Sequence, residues 1–238
     1  MANYHEDIYK VDYREQGKCL IFYDRIYDGT EIAVKDEQLL RQCFTKLKYD
    51  VITYYDLNAK DINKTLKEVA KEDHQNRPSL VCCFLTHGRY NINAGKDYTY
   101  VLDKLYKYFN ADNCPQLAGK PKLFFIQEFQ GIRIDAGVRM DRPHSGSLYT
   151  IYPYYDFLFV LSSIPGLVSF REPSGTYFFE LLTAVLRENA HKMDLLSMLT
   201  VVNKKISLKF ESSNEKIQVP HILSTLLKKL YFLCDNEK

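Results

Sequence analysis

The chain has no apolar run approaching the ~20 residues that span a bilayer, no Cys-x-x-Cys pair, no long basic block and no internal repeat. Each absence removes a class. Without the long run there is no membrane-spanning helix to expect. The opening residues, Met1 to Lys18, are polar, aromatic and of mixed charge, so the sequence reads as that of an intracellular, cytoplasmic protein without a secretory leader. Six cysteines with two of them adjacent, Cys82 and Cys83, fit buried free thiols better than a disulfide framework or a zinc cluster. A net charge of +2, with lysines scattered through helical segments, gives no nucleic-acid signature. What remains is a soluble chain of 238 residues, long enough to bury a real core.

Short apolar runs alternate with amphipathic stretches. Lys18–Tyr23, Val51–Tyr55, Leu80–Thr86, Lys122–Gln127 and Asp156–Ser162 read as strands. Helical spacing marks Asp36–Lys48 (Leu39, Leu40, Cys43, Phe44, Leu47), Asp61–Glu72 (Ile62, Leu66, Val69) and Thr99–Phe109 (Leu102, Leu105, Tyr106, Phe109). Two further helices are expected over Thr176–Asn189 and Leu195–Lys209, and a last apolar run covers Leu226–Leu233. Strand–helix alternation predicts an α/β domain with a mostly parallel sheet and helices on both faces. Residues 80–86 and 122–127 are nearly all apolar, as central strands must be. Residues 132–150 lose periodicity and carry Gly, Pro, Arg and Asp, the composition of an exposed linker.

His87–Gly88 follows directly on one buried strand, and Gln127-Glu128-Phe129-Gln130-Gly131 follows on another. In an open parallel sheet, sites lie outside the carboxyl ends of the strands, so both segments open onto the edge where an active site belongs. A histidine at a strand end is by itself more often structural than catalytic.

These residues resemble the caspase family. Its signature is Gln-Ala-Cys-(Arg/Gln/Gly)-Gly with a histidine about 50 residues upstream. Here Gln127, Gln130 and Gly131 keep the frame, and His87 lies 42 residues before Phe129. "YKVDYREQGKCLIFYD" looks like the approach to an effector caspase's first strand, "GKPKLFFIQ" like the segment before the nucleophile, "DFLFVLSSIPGLVSFRE" like the opening of the small subunit, and "VPHILSTLLKKLYF" like that subunit's last helix and interface strand. The resemblance implies a single-domain caspase-like fold with a six-stranded, mostly parallel sheet. It divides the chain into a short N-terminal segment (1–17), without room for a recruitment domain, a large-subunit-like part (18–131), an intersubunit-type linker (132–150) and a small-subunit-like part (151–238).

Residue by residue, the resemblance places His87 at the general base, Gly88 at an oxyanion-hole N–H, and Gln127 and Arg171 among the groups that hold the substrate's aspartate and backbone. The nucleophile's position holds Phe129. A cysteine protease attacks with a thiolate activated by a histidine, and a phenyl ring has neither lone pair nor ionisable proton. Cys82 and Cys83 lie inside a strand and Cys114 in the loop before the next, so none of them substitutes. A second departure is independent. Caspases carry an arginine before a Gly-Thr pair in the loop after the first strand, one arm of a bidentate clamp on aspartate. Here Gly29-Thr30 is preceded by Tyr27-Asp28, so Tyr27 stands near the arginine's place, and Glu128 adds another negative charge beside Phe129.

The reading is therefore a pseudoenzyme: a non-catalytic caspase homologue that regulates apoptosis as a decoy, needing no cofactor and no metal. Two other classes stay open, a residual aspartate-directed activity and a peptide-binding module that uses the degenerate cleft. Asp135 (before Ala136) and Asp141 (before Arg142) offer linker sites where an active caspase would cut, Asp135 being the better because a small residue follows it. In caspases, segments like Lys228, Lys229, Leu230, Tyr231 and Phe232 pair across a two-fold axis, which implies a homodimer or a heterodimer with a related active caspase, and no membrane or nucleic-acid partner.

Overall fold

In the computed structural model, residues 7–25, 32–85, 98–127, 154–162, 171–172, 175–211 and 220–233 are described. The elements run β1 (Gly17–Tyr23), α1 (Ile32–Lys46), β2 (Tyr49–Tyr55), α2 (Ala59–Val69), β3 (Leu80–Leu85), α3 (Tyr98–Phe109), β4 (Lys122–Ile126), β5 (Phe157–Leu161), β6 (Arg171–Glu172), β7 (Gly175–Thr176), α4 (Tyr177–Asn189), α5 (Leu195–Glu211) and β8 (His221–Ser224). Six strands form one sheet in the order β2-β1-β3-β4-β5-β8, and β6 and β7 form a separate small hairpin. The first five strands are parallel, while β8 runs antiparallel to β5. The parts before and after the linker thus share a sheet, with Phe124 of β4 opposite Phe159 of β5.

The runs β3, β4 and β5, apolar but for Lys122, are fully buried because helices cover both of their faces. Side chains alternate between the two faces. Val81, Cys83, Leu123, Phe125, Leu158 and Val160 meet α1, α4 and α5, where Phe44, Phe178, Leu182, Met198 and Val202 complete one core. Leu80, Cys82, Phe84, Phe124, Phe157 and Phe159 meet α2 and α3, where Ile62, Leu66, Val69, Leu105 and Phe109 complete the other. The second core is stitched by rings: Phe124 stacks on Phe159 at 4.8 Å and Phe22 on Phe84 at 5.0 Å.

Helix ends differ from the periodicity by their caps. α2 starts two residues before Asp61 because Asn58 accepts bonds from the N–H groups of Lys60 and Asp61. α1 gains a turn at its start and stops before Lys48, which turns left-handed at φ 62°. At Gly17 a Cβ would lie 2.5 Å from the Tyr49 ring, so only glycine lets that ring seat across the start of β1.

The carboxyl-terminal end differs from expectation. No helix occurs in residues 220–233. His221–Ser224 is instead the edge strand β8, and the extended segment beyond it turns back along the N-terminal one. Lys229 bridges Ile8 in parallel, Tyr9 N donates to Lys229 O at 3.0 Å, and Lys229 N donates to Asp7 O at 2.8 Å. Leu230 and Phe232 are buried in the chain's own core, while Lys229 faces outward. Of Lys228–Phe232, expected to be the free self-pairing strand, Leu230 and Phe232 therefore pack within the chain, and the edge strands of the described sheet are β2 and β8. The period-two pattern Lys229-Leu230-Tyr231-Phe232 is real, and its inward face meets Tyr49, whose ring lies 6.1 Å from Phe232.

Lys122 opens β4 almost fully buried, with its Nζ donating to Leu117 O at 3.1 Å and lying 4.7 Å from the centre of the Phe157 ring. Burial outweighs the pull of nearby Asp156 and lowers its pKa to about 8. Because the unfolded chain holds this proton up to about pH 10.4, the folded state is penalised below pH 8 and relieved as pH rises. This group alone should add about 2 kcal/mol of stability between pH 7.5 and 9.5. Urea unfolding at the two pH values measures the rise, which Lys122→Met should largely abolish.

Candidate functional site

The strand order reverses between β1 and β3. From β1 the chain first steps outward through α1 to β2, then returns to the other side of β1 as β3. Right-handed crossovers in opposite directions place their helices on opposite faces, and α1 and α2 do sit in different cores. The carboxyl ends of β1 and β3 therefore flank a topological switch point, the place where an open α/β sheet binds ligands. β4 lies next, with Phe84 opposite Ile126.

Gln127 is the first residue beyond β4. It is 1% exposed, and its N–H extends the ladder to Phe84 O at 2.9 Å. That bond fixes where the Gln127–Gly131 frame leaves the sheet: beside the exit of β3, from which His87 follows two residues later in sequence. His87, Gly88, Phe129, Tyr27, Asp135 and Asp141 lie outside the described residues. So does the side chain of Arg171. Its backbone opens β6, paired with Thr176, and Thr176 N donates to the buried carboxylate of Asp36 at 2.9 Å. This bond ties the small hairpin and the start of α4 to α1, and so holds the backbone of Arg171 to the large-subunit-like part.

Around β1 and β2 the structure brings together groups that periodicity does not reveal. Asp24 is buried directly after β1, and Asp36 and Glu37 are buried in the first turns of α1. Glu37 accepts from Arg41 Nε at 2.8 Å, and Arg41 Nη2 also donates to Thr53 Oγ1 at 2.5 Å. Arg25 is held by Asp56, with Nε to Oδ2 at 2.6 Å. The sequence signal for these residues is weak: acidic groups flanking strand ends look like ordinary loop composition.

The described residues bring little nucleophilic or metal-binding chemistry to this edge. The five described cysteines are free and buried. Cys82 sits mid-strand, where burial pushes its thiol well above the usual range, and burial likewise raises Cys114. None of the five stands at the carboxyl edge: Cys19, Cys82 and Cys83 lie within β1 and β3, Cys43 within α1, and Cys114 precedes β4. Among the described residues no group of three His, Cys, Asp or Glu side chains is placed to hold a metal, and no helix is long and apolar enough to cross a membrane.

Comparison with known proteins agrees with this geometry. The family model of the caspase domain matches residues 16–231. Curated relatives include caspase-3 of Bos taurus, 36% identical over 95% of this chain and 88% of its own length, and caspase-3 of Mesocricetus auratus, 37% identical over 96% and 88%. Among solved structures, caspase-1 from Spodoptera frugiperda superposes with a TM-score of 0.80 at 31% identity, covering 100% of this chain and 97% of that one.

Proposed function

The chain belongs to the caspase family, and from that membership we propose that it is a caspase homologue without catalytic capacity, which regulates apoptosis in the cytoplasm by pairing with an active relative. The observation that carries this is Phe129. It occupies the third position of the Gln127–Gly131 frame, two residues past the buried Gln127 whose backbone is tied to β3. Removing the nucleophile of a triad-type enzyme costs about 10⁶-fold in rate, and the described thiols are buried away from the edge. His87 and Gly88 are then retained parts without a reaction to serve.

What supports pairing is the side of β8 that no described strand covers. An antiparallel edge strand presents a row of N–H and C=O groups that a second copy of the same strand can satisfy about a two-fold axis. Burial of Leu230 and Phe232 in the chain's own core favours β8 for that role. The linker aspartates, Asp135 before Asp141, are the positions where an active caspase would separate the two parts. Co-expression of tagged chain with active caspase relatives, followed by pull-down and assay of substrate cleavage, tests the proposal. A recovered complex with the partner's rate altered at least twofold is the expected result. Absence of both a complex and any rate change would overturn it.

A further inference from the structure

Lysines that look scattered in the sequence are gathered by one helix. α2 buries Ile62, Leu66 and Val69 on the face it turns to the sheet. Lys60, Lys64 and Lys67 stand on the opposite face, within about 60° of one another at 3.6 residues per turn. Lys71 continues the ridge in the closing turn, where its N–H donates to Glu68 O at 3.0 Å. All four are exposed, and the ridge runs about 16 Å from first to last at a rise of 1.5 Å per residue. With Ala59, Asn63 and Glu68 they line a shallow open groove of about 650 Å³ along the outside of the helix.

Little within the chain balances this charge. Lys64 Nζ lies 3.9 Å from Glu68 Oε1 with both side chains more than half exposed, a contact that water weakens. Among the described residues, the ammonium groups of Lys60, Lys67 and Lys71 pair with no carboxylate. The neighbouring acids are engaged elsewhere: Asp61 accepts from Asn58 Nδ2 at 2.6 Å, and Glu72 is ion-paired with Lys18. Asn63 Oδ1 accepts from Tyr108 Oη at 3.0 Å, so the other end of that amide is a donor. Every polar side chain of the groove except Glu68 therefore offers donors, and its complement is a row of charged acceptors.

The composition of the groove selects among polyanions. Single-stranded nucleic acid is held by aromatic stacking, and arginine is the preferred partner of phosphate; the lining has neither an aromatic nor an arginine. An anionic membrane needs large apolar side chains beside the lysines, and the lining offers only Ala59. Asp61, Glu68 and Glu72 are exposed along one flank, so a broad anionic surface would meet repulsion there, whereas a narrow partner would not. We propose that the lysine ridge of α2 docks an acidic helix of another protein, with Asp or Glu at i, i+4, i+7 and i+11 facing the lysines. A helix sets its charges at the same rise as α2 does, and a basic flank on it would meet Asp61 and Glu68. The surface goes beyond the pairing proposed above. No ridge residue belongs to β8, so the two surfaces can be occupied together and are tested apart.

Fluorescence anisotropy of the full-length chain in low salt tests this with two labelled helical peptides of identical composition. One carries four glutamates at i, i+4, i+7 and i+11, and the other has the same glutamates spread around the helix. The aligned peptide should bind at least about tenfold more tightly than the spread one. Lys64→Gln/Lys67→Gln should lose about tenfold for the aligned peptide, with the fold kept because both side chains are exposed. Lys64→Glu/Lys67→Glu should instead favour an aligned peptide in which lysines replace the glutamates. High salt should erase each preference. Equal binding of the aligned and spread peptides, undiminished binding by the Gln variant, no measurable binding of either peptide, or tighter binding of a single-stranded oligonucleotide or of phosphatidylserine vesicles than of the aligned peptide would overturn the proposal.

Discussion

A Phe129→Cys variant should remain inactive on an aspartate-containing peptide, recovering less than about 10²-fold of the roughly 10⁶-fold that a competent nucleophile supplies. The variant would again carry both members of the chemical pair, His87 and a thiol at 129, in its sequence. Substrate would still be held badly. The loop after β1 has Tyr27 near the place of the clamping arginine, Asp28 and Glu128 add negative charge, and the loop's own Arg25 is engaged by Asp56. A misplaced or unanchored substrate loses the proximity that a nucleophile needs. Hydrolysis of a fluorogenic aspartate peptide measures this, beside an active caspase as reference. Activity within tenfold of that reference would mean that the pocket is intact and that Phe129 is the sole lesion.

Ser224→Pro should abolish pairing, weakening self-association or association with an active caspase by about 100-fold, while the folded monomer persists. In the antiparallel ladder the inward donors alternate: Thr225 N donates to Phe157 O at 2.8 Å, so the N–H of Leu223 faces β5 and that of Ser224 faces the free edge. Proline at 224 removes an outward donor and crowds the approaching strand, yet leaves the internal ladder whole. Its local cost is the bond from Leu226 N to Ser224 Oγ, at 3.2 Å and exposed. Sedimentation and pull-down read the loss, and the thermal midpoint distinguishes it from unfolding. Undiminished pairing would move the interface away from β8.

The same ladder shows where sequence reading succeeds and where it stops. Residues 80–86 and 122–127 could be read as central strands because nearly continuous apolar character has one economical explanation in an α/β chain, burial on both faces. The five helices were legible from their apolar stripes, to within a turn. The tail was not. Residues 221–233 are apolar with no strong period over the first half, and the resemblance suggested a helix followed by an interface strand. What decides is long-range: β5 has an open edge for His221–Ser224, and the N-terminal segment offers Tyr9, whose hydroxyl donates to Asp156 Oδ1 at 2.5 Å and accepts from Leu227 N at 2.9 Å. These partners stand 147 and 218 residues away, and no local window contains them.

The site divides in the same manner. The frame Gln127–Gly131 and its place after a buried strand could be seen in sequence, since a motif and a strand end are both local. The hold of Asp56 on Arg25 spans 31 residues and depends on a left-handed turn at the end of β2. The tie between Asp36 and Thr176 spans 140. Such contacts come from the register of β1 with β2 and from the packing of α1 on α4, and they appear only once the sheet is assembled.

The most direct test is made on the wild-type chain itself, intact and after cleavage in the linker. Each form would be incubated with a covalent aspartyl ketone probe and with a fluorogenic aspartate peptide, and followed by intact-protein mass and by rate. No adduct and no turnover above buffer is the expected result for both forms. One probe molecule per chain, or turnover that the probe blocks, would show that some group other than a thiol at position 129 performs the attack, and would contradict the account.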